Sequence, residues 1–291
     1  MNNIALLMEQ VPSFYFTFVA VLGLLIGSFL NVVIYRLPIM MERTWRNECA
    51  ESLPEANLET ETEVFNLALP RSTCPRCHHI IGAMENIPVF SWLFQKGRCK
   101  HCQCAISARY PIVEGLTALC SVMVAWFVPF GWPVLYALIL TWSLIALTFI
   151  DFDTMLLPDQ ITLPLLWLGL LVNVSNTFTT LESAVIGAVV GYLSLWSIYW
   201  AFKLVTGKEG MGYGDFKLFA VLGAWFGWQA LPLIILLSSF VGAVIGIILI
   251  ITSRHRQSQP FPFGPYLAAA GWGYLLAGDT LSQLYYAFVL Y

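Results

Sequence analysis

The stretch PVLYALILTWSLIALTFID, residues 133–151, holds eighteen consecutive uncharged residues followed by an aspartate. A helix needs about 20 apolar residues to cross the hydrocarbon core of a bilayer. Similar runs recur along the chain, which is 58% hydrophobic and 11% charged. We therefore predict an all-α polytopic membrane protein with about eight transmembrane helices. The predicted spans lie at residues 13–35, 112–130, 133–150, 160–177, 183–204, 215–230, 232–252 and 263–280.

The basic residues indicate the orientation of these helices. All 14 Lys and Arg residues fall within 36–111, 203–217 and 254–256. The positive-inside rule places such segments in the cytoplasm, and the ends of the spans near Asp151 and Asp215 then face the same side. Because no strongly basic stripe is present, we expect no nucleic acid among the partners. The apolar spans make membrane lipid an expected partner.

The chain divides into three parts by composition. Residues 1–35 predict the first transmembrane helix, 36–111 a cytoplasmic insertion, and 112–291 a seven-helix membrane domain. Within the insertion, residues 42–70 hold seven glutamates and few aromatic residues. Such a segment is typical of a solvated, poorly ordered linker. An acidic surface that attracts a basic substrate is the alternative.

Residues 71–110 predict a small zinc module within the insertion. They contain the two motifs CPRC, residues 74–77, and CKHC, residues 99–102. Paired C-x-x-C motifs are typical of a four-thiolate structural zinc site, and so short a segment needs such a metal to fold. The predicted ligands are Cys74, Cys77, Cys99 and Cys102.

Other residues of the module offer alternative ligands. Cys104 is interpreted as a spare thiol, and His78, His79 or His101 could each replace a cysteine ligand. Reduced cytoplasmic thiols favour zinc over disulfides.

Two aspartates stand at the ends of predicted membrane helices. Asp151 closes one apolar run, and Asp215 opens another within GYGD, residues 212–215. Ionisable groups at such positions are costly and indicate function. Glycines beside Asp215 allow another backbone to approach it closely. If the two helices pack side by side, the two carboxyl groups share a proton. Such a pair predicts an aspartyl protease that acts in the membrane.

Helix capping is the alternative for each of these aspartates, because aspartate near a helix start binds exposed amides. Asp159 is interpreted as a cap of the span that follows it, and Asp153 as a loop residue facing water.

With these motifs in hand, the chain resembles the type IV prepilin peptidases, bacterial inner-membrane enzymes of the GxGD aspartyl protease class. The resemblance covers nearly the whole length. It is carried by the two C-x-x-C motifs and by GSFLNVVIYRLP (27–38), ENIPV (85–89), SWL (91–93), ISARYPIVE (106–114), Asp151, LPD (157–159) and GMGYGDFK (210–217).

The resemblance implies two activities. The family removes the basic leader of type IV prepilins and type II secretion pseudopilins at the cytoplasmic face, with Asp151 and Asp215 as the catalytic pair. Many members then methylate the new N-terminal amine with S-adenosylmethionine, and the zinc-bearing insertion and residues 27–38 are associated with that step. Glu85, Asn86 and Arg109 are polar candidates for it, with support of the zinc module or of the lipid interface as the equal alternative, and no methyl-donor site is identified.

Other functional classes remain open at this stage. A proton-coupled transporter explains the two aspartates but not the cysteine module. An assembly factor with structural aspartates, or a methyltransferase without proteolysis, are further alternatives. Neither the particular pilins processed nor the oligomeric state follows from the sequence.

Overall fold

The computed structural model describes residues 11–52, 64–252 and 261–290. Most of these residues are helical, which confirms the predicted all-α class, and their β-structure consists of two isolated bridges. Short 3₁₀ turns occur at Ala83–Asn86, Asn173–Ser175 and Trp228–Ala230. The α-helices are α1 (Pro12–Ser52), α2 (Phe90–Phe94), α3 (Arg109–Phe127), α4 (Trp132–Thr154), α5 (Asp159–Val172), α6 (Leu181–Thr206), α7 (Tyr213–Phe226), α8 (Leu231–Ile251) and α9 (Gly264–Leu290).

Each predicted span corresponds to one of the long helices, from α1 and then α3 to α9. Five segments among the described residues are long and apolar enough to cross a membrane. Helices α5 and α7 have only 14 residues each, about 21 Å of helix. The chain is thus a multi-pass membrane protein, while the count of eight spans stays a prediction. The five segments are Pro12–Ser52, Arg109–Phe127, Trp132–Thr154, Leu181–Thr206 and Trp228–Ile248.

Helix α1 is longer than the predicted first span. Within the described residues it continues past Pro38 to Ser52 without a break, a length of 41 residues or about 60 Å. Residues 42–52 of the predicted linker are therefore helical and not irregular. Glu55, Glu59, Glu61 and Glu63 lie outside the described residues, as do Arg254 and Arg256.

The chain forms two compact units, residues 1–125 and residues 126–291. In the first unit, α1 packs closely against α3. A Cβ atom on Gly23 would lie 2.7 Å from the Cα atom of Ala118, and one on Gly27 would lie 2.7 Å from the Cα atom of Glu114. The two helix backbones thus touch where α1 has no side chain.

In the second unit, glycine also sets the closest helix contact. Gly187 of α6 and Gly223 of α7 meet backbone to backbone, so neither position has room for a side chain. Trp225 of α7 reaches α5, where its indole donates to the carbonyl oxygen of Leu165 at 2.9 Å. Helix α7 is buried along most of its length between these neighbours.

Helix α9 links the two helices that carry the aspartates. It packs against α4 and also against α7, whereas α4 and α7 make no extensive contact with each other. Direct contact between the two aspartate helices is thus limited among the described residues, and the packing expected for them stays a prediction. A third helix, remote in sequence, joins them.

Candidate active site and metal centre

Asp151 lies in the last turn of α4. That helix ends where Met155 adopts a left-handed conformation, with φ 55°, and its N–H donates to the carbonyl oxygen of Asp151 at 3.0 Å. The carboxyl group of Asp151 is buried, and its Oδ2 atom lies against the backbone of Gly264. Burying a carboxyl group is costly, which makes Asp151 a candidate for a chemical role.

Asp215 lies in the first turn of α7 and does cap that helix. Its Oδ2 atom accepts a hydrogen bond from the N–H of Gly212 at 3.2 Å, the reach-back half of a capping box. Yet Asp215 is only 7% exposed, whereas a capping carboxylate at a surface stays hydrated. Capping alone therefore does not explain why this carboxyl group is buried.

The two carboxyls approach each other around Leu157 and Gly264. A Cβ atom on Gly264 would lie 2.6 Å from Oδ2 of Asp151 and 3.2 Å from Leu157, whose Cβ atom would be 2.7 Å from a Cβ atom on Gly214. Asp151 and Asp215 are close enough to interact electrostatically. The second unit thus gathers both aspartates at one place.

This arrangement differs in detail from the expectation for the glycines of GYGD. Beside Asp215 it is the side chain of Leu157 that occupies the space left by Gly214. The close backbone approach occurs instead at Gly264, against Asp151. The motif LPD includes Leu157, but neither its place beside the aspartates nor that of Gly264 was predicted from the sequence. The only local signal for Gly264 is its position in PFGP, residues 262–265, at the start of α9.

The remaining aspartates of this region have other surroundings. Asp153 is exposed on α4, two residues beyond Asp151. Asp159 is not the N-cap of α5, a position held by Pro158. Its carboxylate pairs with Lys217 of α7, whose Nζ atom lies 2.7 Å from each carboxylate oxygen. The capping interpretation of Asp159 is therefore wrong, and the residue instead ties the start of α5 to the start of α7.

The cysteine module, residues 71–110, is built from two equivalent loops. A β-bridge joins Thr73 to Ile80 in the first loop and Arg98 to Ala105 in the second. In each loop the N–H of the first cysteine donates a hydrogen bond to the carbonyl oxygen of the residue five positions later, at 2.9 Å in both cases. Each loop also contains a left-handed residue, His78 or Gln103. The repeat therefore matches Cys74 with Cys99, Cys77 with Cys102, and His79 with Cys104.

Four sulfur atoms of this module form a cluster. The Sγ atoms of Cys74, Cys99, Cys102 and Cys104 all lie within 4.8 Å of one another. The Sγ atom of Cys74 lies 3.8 Å from that of Cys102 and 3.5 Å from that of Cys104. Four sulfurs bound tetrahedrally to zinc at about 2.3 Å would be about 3.8 Å apart. The cluster therefore fits a metal ion.

The fourth sulfur of the cluster differs from the predicted set. Cys104, interpreted from the sequence as a spare thiol, is inside it, whereas the Sγ atom of Cys77 lies 4.0 Å from that of Cys99 and outside it. The sulfur distances thus favour Cys104, while the repeat of the two loops favours Cys77, the counterpart of Cys102. Cys74, Cys99 and Cys102 belong to both sets.

Backbone amides and polar side chains surround the sulfurs. Hydrogen bonds from the backbone of Cys77 and Arg76 lower the pKa of Cys74 to about 6, which favours the thiolate that binds metal. His79 lies 3.1 Å from Glu85 through its Nε2 atom, and its ring lies against that of His101, tilted by 34°. Neither histidine belongs to the cluster.

A buried carboxyl in α3, that of the last residue of the ISARYPIVE motif, also contacts the module. Glu114 is 7% exposed, and its Oε2 atom accepts a hydrogen bond from the N–H of Val89 at 2.7 Å. Val89 has φ 61°, a conformation rare for a β-branched residue.

The three polar candidates for the methylation step lie at different places. Glu85 accepts hydrogen bonds from Gly82 and His79. Asn86 ends a 3₁₀ turn, and Arg109 is the first residue of α3.

The fold and these sites define a multi-pass membrane protein with a paired-aspartate site and a cysteine module. Residues 138–247 match the type IV leader peptidase family, and residues 21–128 match the bacterial peptidase A24 N-terminal domain. No solved structure matches the chain significantly.

Curated relatives extend this match over the whole chain. A protein of Aeromonas salmonicida is 61% identical over 98% of both chains, and one of Pseudomonas aeruginosa is 56% identical over 92% of both. One of Aeromonas hydrophila is 60% identical over 97% of this chain and 98% of its own. All three are named prepilin leader peptidase/N-methyltransferase. The chain therefore belongs to the type IV leader peptidase family.

Proposed function

We propose that this protein cleaves the basic leader from type IV prepilins and type II secretion pseudopilins, then N-methylates the new N-terminal residue. The observation that carries the proteolytic step is the approach of Asp151 and Asp215 around Leu157 and Gly264. The names of the relatives support both steps.

In this proposal the two aspartates share one proton, because neighbouring carboxylates resist double ionisation. The ionised member takes a proton from water as the water oxygen attacks the scissile carbonyl carbon. The protonated member donates to the carbonyl oxygen. The carbon–nitrogen bond then breaks, and the departing amine takes up a proton. Apparent pKa values belong to the pair.

The location of the aspartates agrees with the chemistry of a prepilin. In a prepilin the basic leader precedes a long apolar helix, so the peptide bond between the leader and the helix lies at a membrane surface. The basic segments of the chain support a bacterial inner membrane location with the aspartates on the cytoplasmic side. The apolar helix of the substrate would then lie in the bilayer while the leader remains in the cytoplasm.

The cysteine module would hold a structural zinc ion. We keep Cys74, Cys77, Cys99 and Cys102 as the proposed ligands, because the two loops repeat and Cys77 is the counterpart of Cys102. Cys104 competes for the fourth position on the basis of the sulfur distances. Bound zinc would supply folding free energy to a module with little apolar core.

Methylation would follow cleavage, with the freed amine as nucleophile. S-adenosylmethionine would supply an electrophilic methyl group when bound. The new carbon–nitrogen bond would form as the methyl–sulfur bond breaks, with S-adenosylhomocysteine as the leaving group and one proton lost from the amine. The name of the relatives supports this donor. The residues that bind it are unassigned.

Coexpression with a prepilin tests the proposal. The N-terminal mass of the pilin would be compared for the wild type, Asp215→Asn and the control Asp153→Asn. We expect leader loss and one added methyl group with the wild type and the control, and intact precursor with Asp215→Asn. Full processing by Asp215→Asn would reduce Asp215 to a helix cap and overturn the proposal.

A further inference from the structure

A small exposed apolar face lies on the cysteine module, outside both sites described above. Helix α2 has only five residues, of which Phe90, Leu93 and Phe94 are 52%, 57% and 84% exposed. Their spacing of three and four residues places them on one side of the helix. Trp92 lies on the opposite side, where its indole donates to the carbonyl oxygen of Ile106 at 3.1 Å. The apolar face therefore contributes little to the packing of the module itself.

The hydrogen bond between Val89 and Glu114 sets the position of this apolar face along the axis of α3. Val89 immediately precedes α2, and its N–H donates to Oε2 of Glu114 at 2.7 Å. Glu114 stands five residues after Arg109, the first residue of α3, or about 7.5 Å along the helix. Helix α2 therefore begins beside the second turn of α3.

Helix α3 is only just long enough to cross the membrane. Its 19 residues span about 28 Å, close to the hydrocarbon thickness of about 30 Å. Its first turn must then lie at the membrane surface, where Tyr110 and Ile112 are 47% and 58% exposed. Aromatic residues are enriched at that level, and α2, which begins beside the next turn, is held close to the same level.

The charge of the module fits the same surface. Between residues 71 and 108 the chain has five basic residues and a single acidic one, Glu85. Lys96 and Arg98 follow α2 directly and are exposed. Basic side chains next to an apolar face are typical of segments that bind anionic bilayers.

From these observations we propose that α2 docks on the lipid surface of the membrane that the chain spans, with Phe90, Leu93 and Phe94 inserted among the lipid headgroups. The module is thereby a peripheral membrane element, bound to lipid through its apolar face and to α3 through Glu114. This inference does not depend on either enzymatic activity.

Photocrosslinking of the full-length protein tests the proposal. The photoreactive residue p-benzoylphenylalanine would replace Phe94 in one variant and Trp45 in the control. Trp45 is an exposed aromatic residue ten positions beyond the predicted first span, about 15 Å farther along α1. Each variant would be reconstituted in vesicles of phosphatidylethanolamine and phosphatidylglycerol, with and without a prepilin, and retained metal would show that the module is folded.

Intact mass after irradiation identifies what each position touches. We expect a lipid adduct at position 94 that is about tenfold more abundant than at position 45, because an interfacial residue contacts lipid continuously. Three results would overturn the proposal. They are a crosslink from position 94 to the chain itself, a crosslink to the prepilin in place of lipid, and equal lipid labelling at both positions.

Discussion

The cysteine module and the aspartate site bring their functional groups together over very different distances in sequence. The module gathers its sulfurs within residues 74–104 through two repeated loops. The aspartate site combines Asp151, Leu157, Asp215 and Gly264, which belong to different helices and loops of the second unit. A local cluster can be stabilised by a metal, whereas a dispersed site depends on how its helices pack.

Metal removal should separate the two regions most strongly. Structural zinc contributes roughly 10–16 kcal/mol of apparent binding free energy in small modules, so chelation should open the amides of residues 71–108 to fast hydrogen exchange. Residues 126–291 form their own compact unit and should keep their protection. Joint loss of protection in both regions would mean that the module supports the fold of the membrane helices.

Two cysteine variants sharpen the description of the module. We expect Cys77→Ser to lose most of the bound zinc and Cys104→Ser to retain it, because Cys77 repeats the position of Cys102. The loss of one zinc ligand should weaken metal binding by several kcal/mol. Metal content per protein, measured by elemental analysis, checks this. The reverse result would identify Cys104 as the fourth ligand, in agreement with the sulfur distances.

A single methyl group tests the packing of the aspartate site. Gly264→Ala would place a Cβ atom 2.6 Å from Oδ2 of Asp151, so the carboxyl must move. Small displacements of catalytic groups can cost about a hundredfold in rate, and we expect cleavage to fall about ten- to a hundredfold. Gly273→Ala is the matched control, because nothing lies within 4 Å of a Cβ atom there on the same helix. Equal cleavage by both variants would remove Gly264 from the site.

The smallest effect is expected for the ion pair beside the aspartates. Lys217 and Asp159 are 28% and 49% exposed, and pairs of this kind contribute about 0.2–1 kcal/mol. A double-mutant cycle with Lys217→Ala and Asp159→Ala, read by thermal unfolding in detergent, should give a coupling in that range that falls with added salt. A salt-independent coupling of several kcal/mol would show that the pair is a buried part of the site.

The sequence was sufficient where the signal is local. Hydropathy located every long helix, because a membrane span must satisfy its backbone within one apolar segment. Paired C-x-x-C motifs identified the module, because each supplies two sulfurs on one loop. The 41-residue length of α1 was missed, since composition changes at residue 36 although the helix does not end there.

Non-local features of the site could not be predicted. Asp151 and Asp215 were chosen as candidates because acidic residues in membrane helices are costly. The helix packing that brings them together was not predicted. Leu157 and Gly264 are an ordinary leucine and glycine, and only the packing of α9 brings Gly264 to Asp151. The contact of Glu114 with the module was likewise not predicted, because its partner is the backbone of Val89, 25 residues away.

The central claim is that Asp151 and Asp215 act as one catalytic unit. The most direct measurement is the single-turnover cleavage rate of a prepilin by purified Asp151→Ala, Asp215→Ala and the double variant, each with its metal content checked. Groups that act as a unit are strongly non-additive, so we predict that the double variant is no slower than the slower single variant. Substantial cleavage by either single variant, with losses that multiply in the double variant, would contradict the account.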